Sequence, residues 1–134
     1  MFNGIYDERQ FAYLYDMTKK WLELKIKGRS LGDILAANKV EKIFIYGING
    51  FGELAYEDLK DSAVKIQAFI DKRAAEYADG YKGIKVFLPD RRLAESEEYI
   101  IVTPEYYFNE ILNELVKNGA AIDRIISLAM ILES

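Results

Sequence analysis

The sequence predicts an α/β domain on a parallel sheet of order 3-2-1-4-5, with two extra helices in front. Short apolar runs alternate with stretches of helical period, as strands and crossover helices do in an α/β sheet. The first of these strands is apolar throughout rather than alternating, as expected when both faces are covered. Glycines then crowd the turn where that strand passes into a helix, in Gly47-Ile48-Asn49-Gly50-Phe51-Gly52. At 134 residues the chain is one domain. Residues 1–39 form a helical preface and residues 40–134 the α/β core.

A helix is expected over 7–27, with Asp7 as its cap and Gly28 as its stop. Its apolar stripe reads Phe11, Leu14, Tyr15, Thr18, Trp21, Leu22 and Lys25. The stripe either packs on its own domain, the ordinary reading, or meets a partner chain. Ser30 and Asp33 form a capping box for a shorter helix that buries Ile34 and Leu35 and ends near Asn38. Strands follow at Ile43–Tyr46, Val64–Ile70, Lys85–Leu88, Tyr99–Thr103 and Ile125–Leu128. Between the first two strands a helix runs from about Gly52 to Lys60, with Leu54, Ala55, Asp58 and Leu59 on one side. Residues 72–82 are polar and helix-prone, and residues 91–98 are surface-like. Pro104 suits the first turn of a helix that reaches Asn118 and stops at Gly119. Its apolar set is Tyr107, Phe108, Ile111, Leu112, Leu115 and Val116. A terminal turn covers Ala129–Leu132.

Composition excludes several classes. The net charge of −4 argues against a nucleic-acid surface, which needs clustered Lys and Arg. No apolar run approaches the roughly 20 residues of a membrane span, and the opening Met1-Phe2-Asn3-Gly4 lacks the basic and apolar regions of a signal peptide. Without cysteine there is no disulfide framework, and the cytoplasm is the expected compartment. Without His or Cys there is no thiolate nucleophile, imidazole base or ordinary zinc site. No catalytic or metal-binding residue is nominated, and a self-contained enzyme is not expected.

The chemistry centres on the glycine turn. Such a turn lets the backbone bend without a Cβ clash and brings an anion to N–H groups at a helix N-terminus. In a Rossmann-like fold this is where a dinucleotide pyrophosphate sits. Gly47 and Gly52 match the outer positions of the G-x-G-x-x-G fingerprint, Asn49 replaces its middle glycine, and Gly50 supplies freedom one residue later. Asp71 ends the second strand, where an acid would bind a ribose hydroxyl, although it reads equally as a turn-starting or capping residue. Lys72 and Arg73 follow and offer charge to a phosphate, so the acid leaves the nucleotide open. Thr103, at the carboxyl end of the fourth strand, either hydrogen-bonds a ligand or caps the helix after it. Glu105, Tyr106 and Tyr107 lie near the crevice mouth and read as ordinary polar residues at a helix start. Tyr15/Lys19 and Tyr56/Lys60 have the spacing of a dehydrogenase dyad, but about one such match is expected by chance.

The run Ile45-Tyr46-Gly47-Ile48-Asn49-Gly50-Phe51-Gly52-Glu53, followed by Phe69-Ile70-Asp71, resembles the N-terminal Rossmann-like domain of bacterial sugar acetyltransferases. Those enzymes act on nucleotide-linked amino sugars and carry I-Y-G-x-x-G-F/H-G followed by G-F-I-D-D. The resemblance implies that the domain binds the UDP portion of a UDP-sugar, while acetyl transfer occurs in a separate left-handed β-helix. It implies Gly47, Asn49, Gly50, Phe51, Gly52 and Asp71 as binding positions. The segment Trp21–Leu31 with the strand and loop after it is similar to Rossmann-like modules of capsule, lipopolysaccharide and glycosyltransferase proteins, over about residues 11–132. Ala68 stands where that pattern often has Gly, Lys72 replaces a second acid, and no acyltransferase repeat is present.

The expectation is therefore a non-catalytic module that binds a nucleotide or nucleotide-sugar in surface-glycan biosynthesis, as part of a larger protein or beside one. Two alternatives stand with it. One is an NAD(P)-dependent oxidoreductase or epimerase-type half-domain. The other is an interaction module with a dead site, forming a homodimer through the N-terminal helix.

Overall fold

The computed structural model describes residues 8–134. Five strands, β1 (Lys42–Tyr46), β2 (Lys65–Ile70), β3 (Val86–Phe87), β4 (Tyr99–Val102) and β5 (Ile125–Ser127), form an all-parallel sheet of order β3-β2-β1-β4-β5. The order expected from sequence is the order found. Gln67 is an extra residue in β2, where the register against β1 shifts between Ile43 and Phe44.

The α-helices among the described residues are α1 (Glu8–Ile26), α2 (Leu31–Ala37), α3 (Phe51–Leu59), α4 (Phe108–Lys117) and α5 (Leu128–Leu132). On one face of the sheet, Met17, Trp21 and Leu24 of α1 join residues of α2, α3 and α5 over Ile43, Ile45, Phe69 and Ile101. On the other, Ile111 and Leu115 of α4 and Leu93 of the 3-10 turn Arg91–Glu95 cover Tyr46, Ile70, Ile100 and Val102. Alternation along each strand thus feeds two apolar layers, which is why β1 reads as a continuous apolar run. The helical preface is part of the first layer. Ser30 and Asp33 make the expected capping box, with Ser30 Oγ accepting the Asp33 N–H at 3.1 Å and Asp33 Oδ2 accepting the Ser30 N–H at 2.8 Å. The expected Asp7 cap lies outside the described residues.

Several expectations are corrected. The inward side of α1 is Met17, Trp21 and Leu24, whereas Phe11, Tyr15 and Leu22 are exposed. Two apolar stripes run side by side on this helix, and periodicity alone does not choose between them. Burial of Trp21 decides it, because its indole N–H reaches Asp58 of α3 at 2.8 Å. The outward stripe is the face that the partner-chain reading requires. In α3, Leu54 likewise faces outward, and Tyr107 and Val116 near α4 are exposed. Residues 72–82 form no α-helix but a 3-10 turn, Ala74–Tyr77, with Tyr81 in a bridge to Ile84. Pro104 does not open a continuous helix. It precedes a separate 3-10 turn, Glu105–Tyr107, and α4 begins at Phe108. That turn carries Glu105 inward, where its carboxylate accepts the Ala129 N–H at 2.7 Å. Among the described residues no helix is long and apolar enough to cross a membrane.

Candidate functional site

The strand order reverses between β1 and β4, and the loops leaving these two strands meet there. Each glycine of the β1–α3 loop has its own physical reason. Gly47 has φ +92°, and a Cβ on it would stand 2.8 Å from both the Pro104 ring and Thr103 Oγ1. Gly50, which precedes α3, has φ +66° and ψ −114°, a backbone conformation almost confined to glycine. A Cβ there would meet nothing within 4 Å, so the space beside it is open. Gly52 is required for contact rather than torsion, since its Cβ would lie 1.9 Å from the Gly47 carbonyl oxygen. The loop thus combines a tight turn at Gly47, open space at Gly50 and close helix–strand packing at Gly52.

The N–H groups of the loop divide into two sets. Gly47 donates to the Ile70 carbonyl at 2.9 Å, and Ile48 donates to Asp71 Oδ2 at 3.1 Å. The N–H groups of Asn49, Gly50 and Phe51 have no acceptor among the described residues. They precede and open α3, which has no side-chain cap. Unmatched donors at a helix start with open space beside them favour an anion. The Phe51 ring turns inward against Trp21, with centroids 6.3 Å apart, so this residue offers its backbone outward. The Asn49 side chain is exposed, and its Oδ1 lies 3.5 Å from the Tyr77 hydroxyl.

Asp71 is buried and has two protein donors. Besides Ile48, its Oδ1 accepts the Arg73 N–H at 2.8 Å, so it starts the turn after β2 and ties the glycine loop to that turn. A carboxylate has about four lone-pair sites, which leaves it capacity for a ligand donor as well. Thr103 is only 1% exposed and does not cap the turn after it. Its hydroxyl lies 2.8 Å from the Tyr46 carbonyl and 3.0 Å from that of Gly47, and the turn behind it has no side-chain cap. Thr103 therefore locks the end of β1 against the loop that leaves β4. Lys72 turns to α4, pairing with Glu114 Oε2 at 3.2 Å. Glu114 Oε1 accepts the Tyr46 hydroxyl at 3.0 Å. Burial, and then this bond to Glu114, push the Tyr46 phenol well above its ordinary value, so Tyr46 stays a neutral donor. The exposed Lys72 pair is worth little.

Two polar residues went unread in the sequence. Asp58, on the inward side of α3, accepts from α1 and α2. Glu105, expected to be exposed, is buried beside Ser127 and the Tyr13 side chain of α1. Their signal was slight: an acid on a helix side counted as apolar, and an acid directly after a strand-ending Thr-Pro. Burial raises the Glu105 carboxyl above its ordinary 4.5, against the lowering effect of the Ala129 N–H and nearby hydroxyls. The folded state therefore holds a proton more tightly than the unfolded state. The stabilising share of this group is complete below the unfolded value and is lost as pH rises through the folded one. Glu105→Gln, which keeps the acceptor for Ala129 and removes the charge, should gain about 1–3 kcal/mol at neutral pH. Urea melts at pH 4 and pH 8 check this, since the gain should shrink at the acid end.

Fold and loop together define a parallel α/β domain with a glycine-rich turn where the strand order reverses. A family model described as C2185-like, N-terminal, matches residues 39–126, and the chain belongs to that family. The match begins where the helical preface ends and covers all five strands except the last residue of β5. No curated protein matches the chain. Among the described residues no group of three or more His, Cys, Asp or Glu is placed to hold a metal ion.

Proposed function

We propose that this domain is a non-catalytic module that binds a nucleotide or nucleotide-sugar, with the phosphates on the Gly47–Gly52 loop. The observation that carries the reading is the set of unmatched N–H groups at Asn49, Gly50 and Phe51 beside the open face of Gly50. Asp71 and Lys72 supply an acceptor and a cation at the neighbouring strand end. The resemblance of the loop and of Phe69-Ile70-Asp71 to sugar acetyltransferase N-terminal domains supports a UDP-sugar over NAD(P), and service in surface-glycan biosynthesis.

The test is isothermal titration with UDP, UDP-N-acetylglucosamine, NAD and NADP, run beside thermal melts. A saturating UDP-sugar should stabilise the domain by about 2.7 kcal/mol at a hundredfold excess over Kd. Absence of heat and of any melting shift with all four ligands at millimolar concentration would discard the proposal. Preference for NAD or NADP over the uridine ligands would move it to the oxidoreductase half-domain.

A further inference from the structure

We propose that a second cleft, between α1, the 3-10 turn Glu105–Tyr107 and α5, binds a small organic ammonium compound with Glu105 as its anchor. The cleft has a volume of about 770 Å³ and is lined by Tyr13, Glu105, Tyr106, Asn109, Met130 and Glu133, among others. Glu105 is 4% exposed, and its two oxygens differ. Oε1 is fixed by the Ala129 N–H at 2.7 Å, whereas Oε2 is buried and has no hydrogen-bond partner among the described residues.

A buried carboxylate oxygen without a donor is costly and is rarely retained without a use. The Tyr13 and Ser127 hydroxyls approach the carboxylate, but neither makes a well-formed hydrogen bond to Oε2. The anchoring of Oε1 fixes where Oε2 sits, in the wall of the cleft. Tyr13 of α1 stands beside it, and that side chain is itself 44% exposed, so it has room to swing outward and admit a ligand donor.

The lining selects the charge of that donor. A desolvated carboxylate gains most from a full positive charge. Glu133 adds a second acid at the cleft, where Lys20 holds one of its oxygens at 2.6 Å. The half-exposed Tyr106 ring, packed edge-on against Tyr107 with centroids 5.5 Å apart, and the exposed Met130 offer the faces that organic ammonium groups prefer over water. This site is separate from the glycine loop, and its occupancy does not depend on a nucleotide.

Matched pairs test it: ethanolamine against ethylene glycol, and glucosamine against glucose, each titrated into the full chain and followed by amide chemical shifts. The amines should shift the amides of residues 105–109 and 127–130 saturably, and the neutral partners should not. Glu105→Gln should weaken amine binding at least tenfold while keeping the native spectrum. Tyr106→Ala, on an exposed wall residue, should weaken it several-fold, and this variant serves if the first fails to fold. Equal shifts with amine and neutral partner would overturn the proposal. So would the absence of a saturable shift with either amine at millimolar concentration, or amine binding unchanged in both variants.

Discussion

Gly52→Ala should destabilise the domain by about 3 kcal/mol, the top of the range for overpacking a filled site. The added methyl would lie 1.9 Å from the Gly47 carbonyl oxygen, which is backbone and has no rotamer to yield. Gly47 in turn stands against Pro104 and accepts from Thr103 at 3.0 Å, so the displacement passes to the β4 loop. For a domain of this size such a loss lowers Tm by roughly 10 °C. Gly50→Ala is the informative contrast. Its Cβ would point into open space, so its cost of about 1–3 kcal/mol comes from torsion alone. The two variants should also part in binding. Gly50→Ala intrudes on the approach to the unmatched N–H groups, so on the proposed function it should abolish nucleotide heat in a protein that still melts cooperatively. Gly52→Ala should lose both. Calorimetric melts with nucleotide titration check the pair, and a Gly52→Ala protein of wild-type Tm would refute the close packing of α3 on β1.

Most of the scaffold was legible because its determinants are local. An apolar run bounded by glycine and proline marks a parallel strand wherever it lies, and Ser30 with Asp33 sets the start of α2 from within four residues. The loop was legible for the same reason: Gly47, Gly50 and Gly52 answer constraints within a few residues or at the next strand end. The roles of Asp71, Thr103 and Lys72 were not, because their partners come from other parts of the chain. Asp71 meets Ile48, Thr103 meets Tyr46 and Gly47, and Lys72 meets Glu114. Nothing in the neighbourhood of Thr103 distinguishes a hydroxyl that faces a ligand from one that locks a carbonyl. Helix α1 failed in a related way. Its sequence offers two adjacent apolar stripes, and the choice between them was made by a hydrogen bond to a residue in another helix. Glu105 was misjudged because the Pro104 turn ends in a 3-10 segment that rotates it inward.

That hydrogen bond belongs to a buried polar junction joining α1, α2 and α3, and Asp58→Ala should cost about 3 kcal/mol or more. The Asp58 side chain is only 4% exposed. Its Oδ2 accepts the Trp21 indole N–H at 2.8 Å and the Leu31 N–H at 3.2 Å, while Oδ1 meets the Lys25 ammonium. One carboxylate therefore joins α1, the start of α2, and α3. Alanine would leave two donors in the interior without an acceptor, each at a cost of about 1–3 kcal/mol. Asp58→Asn retains one acceptor oxygen and should lose less. Trp21→Phe removes a donor instead of the acceptor, so the Asp58→Ala/Trp21→Phe double variant should be less destabilised than the sum of the singles. A coupling of about 1–2 kcal/mol is expected for a contact of this kind. Trp21 is the single tryptophan of the chain, so its fluorescence reports directly on the docking of α1. In Asp58→Ala the emission should move to the red before the sheet unfolds, because α1 loses its polar tie while the strand ladder is untouched. Coincident fluorescence and circular-dichroism transitions in that variant would show instead that the helical preface and the α/β core unfold as one unit.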